Sequence, residues 1–440
     1  MARASGGRQP ASGAATTIQT MSGLLSYTEA AEQVARYARE LLSQSRGTER
    51  VELSEAAERV LAQAIVADED QPAFARSTRD GFACRAVEAV THAWMPVAGA
   101  THAGEPPPGP LPAGAFWEIM TGSPVPADAD AVVMVEHIER DGDQVRLRAE
   151  RTIQSGENVV ARGAQARAGE ILVPAGARMR MAQIAVAATC GYATVDVYRK
   201  PRVAILTTGD ELVAVDADPG PGQIRNSNAP MLAALVAAAG GVPWVLPTAA
   251  DTAEALDAAL ENAAAADLLL ISGGVSAGKF DLVEPALERR GAKFFFTGVR
   301  IQPGKPLVFG ALRATGPDAA GKENVSVPFL GLPGNPISSA ATFRLFGAQV
   351  LAALSGSTEL GPQFVAAQLA KSVKEKPGLT RFLPARCEFT NAYGGFPQVK
   401  TVDWNGSGDS PAFARANCFL VVPEDASSMD AGAMVRILML

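Results

Sequence analysis

Residues 203–212 read VAILTTGDEL, and residues 268–281 read LLLISGGVSAGKFD. Each is a short apolar run, strand-like in composition, that passes abruptly into a loop of Thr, Ser, Gly and carboxylates. Helical and strand patterns alternate around these two runs. Asn228 is placed to cap a helix over 229–239 that Gly240 and Gly241 stop, and 242–246 reads as the next strand. Asp251 is placed to cap a helix over 252–265, 268–271 is a further strand, and a helix follows near 282–290. Alternation at this spacing predicts βαβ units around a mainly parallel sheet, an α/β domain over 199–355 that ends in a helix from 337 to about 354.

Upstream, residues 21–198 read as a helical and β region. A Ser26/Glu29 capping box opens an amphipathic helix to residue 42, and a shorter helix is predicted over 53–61, opening at Ser54. Short apolar runs broken by Pro and Gly then predict strands and turns, with an inserted β subdomain at about 68–165. Residues 1–20, rich in Gly, Ser and Ala, are expected to be a disordered tail. Downstream, 355–362 is linker-like, and 361–440 reads as a small β domain with turns at 393–395 and 405–408. The fold class is thus α/β multidomain, and 440 residues suffice for about three domains.

Composition narrows the function. With 46 acidic against 39 basic side chains the net charge is −7, which argues against nucleic acid as a partner. No apolar run approaches the ~20 residues of a membrane span, so a soluble protein without a membrane partner is expected. Four dispersed cysteines without a C-x-x-C pair point to free thiols in a reducing cytoplasm, and three scattered histidines disfavour a His-rich zinc site.

In an open α/β sheet, ligands bind beyond the carboxyl ends of the strands. Three loops there are unusual: 207–211 (TTGDE), 272–278 (SGGVSAG) with Asp281 opening the next helix, and 331–336 (GLPGNP). Glycines permit close backbone approach, and successive amides at a helix start cradle anions. Glu211, Asp281 and Asp251 bring carboxylates to the same edge, where Mg²⁺ would reconcile them with an anionic ligand. Residues 303–306 (PGKP) form a rigid turn that carries Lys305. Residues 273–279 also fit most of a P-loop, but Phe280 stands where the metal-binding hydroxyl belongs.

Six motifs in this order, 77–83 (STRDGFA), 119–126 (IMTGSPVP), 208–212 (TGDEL), 273–278 (GGVSAG), 303–306 (PGKP) and 331–336 (GLPGNP), resemble the molybdopterin molybdenumtransferases, the bacterial insertase family related to the E domain of gephyrin. The resemblance implies an elongated cytoplasmic homodimer that uses Mg²⁺ to insert molybdate into adenylylated molybdopterin, releasing AMP. Other proteins of molybdenum cofactor biosynthesis are implied as partners. By position it implies Gly274, Ser276, Asp281, Glu211 and Asp251 around the pterin nucleotide, with Glu211 and Asp281 on the metal. Lys305, Ser338 and Ser407 would surround molybdate, beside Pro333 and Asn335, while Asp80 and Thr121 would come from the N-terminal region of the other subunit. Glu211, Asp281, Lys305 and Asp80 are the expected catalytic group.

Three positions depart from the family pattern. Gln302 replaces a common Lys, Ala164 and Gln165 replace a Glu-Asp pair, and Leu379 replaces an Arg for which Arg381 is expected to substitute. Two other readings are a non-catalytic dimeric scaffold of the same architecture and a P-loop-like NTPase.

Overall fold

A computed structural model describes residues 23–44, 46–274, 282–313, 326–389 and 395–440. Residues 46–199 form one compact unit; the chain before and after them forms a second.

In the second unit, a six-stranded sheet takes the order Val242–Val245, Arg202–Thr207, Leu268–Ser272, Ser326–Leu332, Val308–Arg313, Lys293–Thr297. The first four strands are parallel and the last two antiparallel. The parallel part is covered on both faces, so Arg202–Thr207 is buried from Val203 onward and Leu268–Ser272 throughout. One face packs against Tyr27–Leu42, whose apolar stripe Ala30, Val34, Ala38 and Leu41 is buried. The predicted capping box is present, with the Glu29 amide donating to Ser26 Oγ and the Ser26 amide to Glu29 Oε2.

Pro336–Thr342, a π-helical turn Phe343–Gly347 and Ala348–Leu354 form one continuous helical run. Its 19 residues are apolar and long enough to cross a membrane, but most of the run is buried inside this unit as its core helix. The C-terminal β domain docks on the same core through Phe382, Phe419, Val421 and Leu438. Its strands close on themselves, because Thr380–Glu388 pairs with both Gln398–Thr401 and Cys418–Val422. All four cysteines of the chain are buried and free.

In the unit of residues 46–199, a six-stranded sheet runs from Ala131–Met134 to Ile138–Asp141 around Phe82, Phe116, Val133 and Val145. The helix expected over 53–61 is reduced to a single 3₁₀ turn, Leu53–Glu55. Glu58 takes a φ of 62°, and the Leu61 and Ala62 amides donate to Ala177 and Asp196 carbonyls instead of to their own turn. Long-range pairing outcompetes local helix propensity here. Residues 1–22, and most of the turn expected at 393–395, lie outside the described residues.

Candidate functional site

The carboxyl ends of three adjacent parallel strands carry the first cluster. At the end of Arg202–Thr207, the Thr208 amide donates to Ser272 O (3.1 Å), tying this loop to the next strand. A methyl group added at Gly209 would lie 2.5 Å from Glu211 Oε2, so the Glu211 carboxylate folds back over the loop. The Asp251 amide donates to Asp210 Oδ1 (3.1 Å), which brings Asp251 beside Asp210 and Glu211. Partial burial, and then the charges of Asp210 and Glu211, push the Asp251 carboxyl above its ordinary 3.8. Among the described residues no group of three or more His, Cys, Asp or Glu is arranged to hold a metal ion.

Two expected helix caps are different residues. Thr252, not Asp251, caps Ala253–Asn262 by accepting the Ala255 amide (3.2 Å). This leaves the Asp251 side chain outside the helix start. Asn226, not Asn228, accepts the Ala229 amide (3.1 Å) at the start of Asn228–Ala238. Asn228 points its Nδ2 across the sheet end, donating to Ser272 Oγ (2.8 Å) and Gly334 O (2.5 Å).

Two further atoms at this sheet end carry no signal of their own in the sequence. Thr208 Oγ1 and Asn228 Oδ1 are buried and have no hydrogen-bond partner among the described residues. Unpaired buried polar atoms are rare and costly, which makes these two candidates to meet a polar ligand. The one hint is the doubled Asn in 226–228 (NSN), of which a single cap uses only one. Gly274 sits directly against Thr208 Oγ1. Its φ is 62° and a Cβ placed on it would lie only 2.9 Å from Thr208 Oγ1, so no side chain fits there. Ser276 and Asp281, and with them most of the P-loop-like segment, lie outside the described residues.

The third strand, Ser326–Leu332, leads into Pro333 and Asn335. Ser339 Oγ donates to Pro333 O and also meets Ser272 Oγ (3.3 Å), so this loop joins the same network. Asn335 Nδ2 donates to Ser407 Oγ (2.8 Å), and the Ile337 amide donates to Ser407 O (3.1 Å). Ser407 of the C-terminal β domain is thereby fixed at the start of the helical run. Ser338 is almost wholly buried one residue further on.

The turn bearing Lys305 packs against the same run. Gly304 has a φ of 115°, and a Cβ there would lie 2.5 Å from Thr342 Cγ2, so the turn can approach the helix only with glycine. Thr342 Oγ1 in turn donates to Ser338 O (2.8 Å). Lys305 is exposed and makes no ion pair among the described residues. Arg381 is in the opposite condition: it is 6% exposed, and its Nε lies 3.0 Å from both Glu375 Oε2 and Gln302 Oε1. Its Nη1 donates to Leu379 O (3.2 Å). The cation expected to help hold an anion therefore already has protein partners at its Nε and Nη1.

In the unit of residues 46–199, Asp80 Oδ1 accepts both the amide (2.6 Å) and the hydroxyl (2.8 Å) of Thr121. These two bonds hold the exposed Asp80 carboxyl below its ordinary 3.8. The structure thus joins Asp80 with Thr121 in one unit. In the other it gathers Glu211, Asp251, Gly274, Pro333, Asn335, Ser338, Ser407 and the Lys305 turn along connected loops.

Comparison with known proteins gives this geometry a family. Residues 25–191 match the MoeA N-terminal region (domains I and II), 204–353 a probable molybdopterin binding domain, and 366–440 the MoeA C-terminal region (domain IV). The molybdopterin molybdenumtransferase of Bacillus subtilis is 33% identical over 89% of this chain and 90% of its own length. That of Haemophilus influenzae is 31% identical over 89% and 93%. A crystal structure of the molybdopterin biosynthesis MoeA protein from Pyrococcus horikoshii superposes with a TM-score of 0.76 at 27% identity, covering 95% of this chain and all of that one. The chain belongs to the molybdopterin molybdenumtransferases, transferases of molybdenum cofactor biosynthesis.

Proposed function

We propose that this enzyme inserts molybdate into adenylylated molybdopterin, releasing AMP and forming molybdenum cofactor. The observation that carries this reading is two buried atoms at one sheet end without a hydrogen-bond partner among the described residues, Asn228 Oδ1 and, beside Gly274, Thr208 Oγ1. One can donate and the other accept, which suits the edge of a polar heterocycle or its phosphate-bearing arm. Lys305, with the hydroxyls of Ser407 and Ser338 nearby in the chain of contacts, supplies a charge and donors for an oxyanion. Ser276 belongs to the same proposed nucleotide loop.

The carboxylates at this edge fit a hard divalent cation by their chemistry. Burial and like charge already disfavour ionised Asp251, and a cation would relieve that repulsion. Glu211, with Asp251 near it, and Asp281 from the next loop of the sequence would hold Mg²⁺, which when bound offsets phosphate charge against these carboxylates. The working form we propose is a cytoplasmic homodimer. Its N-terminal region contributes Asp80, whose orientation Thr121 fixes. The four buried free thiols suit a reducing compartment.

Cofactor assembly from adenylylated molybdopterin, with molybdate and Mg²⁺ each supplied or withheld, tests the reading. AMP and active cofactor should appear together only in the complete mixture. Nucleotide hydrolysis without any pterin would sink it in favour of an NTPase.

A further inference from the structure

The structure assigns Arg381 a positioning role: anchored by Glu375 and Leu379, it holds Gln302 and through it the turn that presents Lys305. This inference rests on the reading of Lys305 as the cation of the oxyanion site. Ile301–Gln302 pairs in parallel with the start of Thr380–Glu388, in the register Ile301 to Thr380 and Gln302 to Arg381. Side chains at paired positions point the same way, so Gln302 and Arg381 face each other by construction. The Arg381 Nε–H donates to Gln302 Oε1 (3.0 Å), and Glu375 Oε2 forms an ion pair with the same nitrogen at 3.0 Å.

Two features separate a strut from an anion ligand. Arg381 is almost wholly buried, and Glu375 neutralises its charge where it stands, so little net positive potential is left for an incoming dianion. The partners are also spread over three chain segments: Gln302 before the turn, Leu379 beside the strand, and Glu375 after Val373–Lys374. A rigid planar fork can satisfy such a spread of acceptors, which a lysine cannot.

Apart from its packing on Thr342, the turn's own backbone hydrogen bonds among the described residues are local. Val299 N donates to Lys305 O (2.9 Å) and Leu307 N to Gly304 O (3.1 Å), both within the same short hairpin-like segment. A second strut lies just upstream, where Arg300 Nε meets Glu424 Oε1 (2.8 Å) and Thr380 N donates to Arg300 O (3.1 Å). The C-terminal β domain therefore grips the segment at residues 300 and 302. Lys305 follows three residues later on a turn whose prolines leave it little freedom.

Gln302→Met provides the test, because it keeps side-chain length and leaves Arg381 with its charge while removing the acceptor. A ligand role for Arg381 predicts unchanged or tighter molybdate dependence. Positioning predicts that the half-saturating molybdate concentration rises about tenfold, the loss typical of a hydrogen bond to a charged group. The KM for the pterin substrate should stay at the wild-type value.

Hydrogen exchange, measured on the full chain without substrate, should show faster exchange at Val299 and Leu307. Gln302→Glu, which restores the acceptor, should return it to the wild-type rate. Wild-type exchange in Gln302→Met, or unmoved molybdate dependence in that variant, overturns the positioning role. Lys305→Gln, titrated beside it, reports on the anion site separately. If that variant takes molybdate as the wild type does, the location assigned to the anion is wrong, whatever the exchange rates show.

Discussion

The two polar clusters of the C-terminal unit stand in opposite conditions. At the sheet end, Thr208 Oγ1 and Asn228 Oδ1 are buried with no hydrogen-bond partner among the described residues, and Asp251 is crowded by Asp210 and Glu211. At the Lys305 turn, Arg381 is equally buried yet bonded on several sides, to Glu375, Gln302 and Leu379. Burial alone does not separate a ligand site from a structural one; the state of the polar atoms does. A satisfied group stabilises the fold as it stands, whereas an unsatisfied one costs stability until something binds. On the function proposed above, the sheet end would recognise the larger, polar substrate, and Lys305, which has no ion pair among the described residues, would meet a small oxyanion.

The largest effect is therefore expected at Lys305. Lys305→Gln removes the unpaired charge without disturbing packing, because the side chain is exposed. The loss should be about 1.5–3 kcal/mol of molybdate binding, roughly ten- to over a hundredfold in half-saturation. Molybdate titration at saturating pterin substrate checks this. Arg381→Lys, which breaks the strut, should raise half-saturation only about tenfold and speed hydrogen exchange at Val299 and Leu307; a loss equal to that of Lys305→Gln with wild-type exchange would erase the distinction between the free and the satisfied cation.

The next pair of variants should move stability in opposite directions. Thr208→Val deletes a buried hydroxyl that has no partner among the described residues, so the ligand-free protein should melt at the same temperature or higher, with a gain of up to about 1 kcal/mol. Pterin binding should weaken in the same variant. Glu375→Gln instead leaves Arg381 buried without its countercharge, and should destabilise the C-terminal unit by about 1.5–3 kcal/mol. Thermal melts with and without substrate distinguish the two. If Thr208→Val destabilises as Glu375→Gln does, the sheet end is ordinary structure.

The alternation that defines the α/β unit was legible because a buried parallel strand must be apolar along its length and must end where the ligand loops begin. The residues of 203–206 and 268–271 state this plainly. The site was legible where chemistry demands a residue type: a cation on a proline-bounded turn, and carboxylates and glycines after strands. Partnership was not legible. Asn228 and Asp251 looked like caps because a cap is a local pattern, yet Asn226 and Thr252 take those bonds and free the other two for the sheet end. Arg381 looked like a spare cation because neither Glu375 nor Gln302 announces in sequence that it will face it. The 53–61 segment failed for the same reason, since its hydrogen bonds go to residues more than a hundred positions away.

Gln302→Lys sharpens the comparison with a smaller expected effect. Added charge beside Lys305 would be expected to help bind a dianion. In this structure, however, an ammonium at 302 would face the Arg381 guanidinium, which now lies 3.0 Å from Gln302 Oε1. Repulsion and loss of the acceptor should cancel the gain, leaving molybdate half-saturation within about threefold of wild type, a difference under about 1 kcal/mol. Adding Arg381→Met should then expose the benefit of the new charge. A single Gln302→Lys variant that binds molybdate far more tightly would show that Arg381 does not control position 302.

The smallest effect belongs to Asp80, which carries the same contrast into the other unit: an exposed carboxylate, but one already bonded. The Thr121 amide and hydroxyl both donate to its Oδ1 and depress its titration below the ordinary 3.8. A depressed folded-state value means that ionised Asp80 contributes stability at any pH above its unfolded titration, and that the contribution fades as pH falls through the folded one. Asp80→Asn should consequently lower the thermal midpoint of the unit slightly at neutral pH, and the gap from wild type should close in acid, below the ordinary carboxyl range. The Thr121 amide proton gives a local readout, because its NMR shift should titrate with Asp80 in the wild type and stay flat in the variant. A gap that persists unchanged into strong acid would mean that the Asp80 charge adds nothing and that the bond to Thr121 serves shape alone.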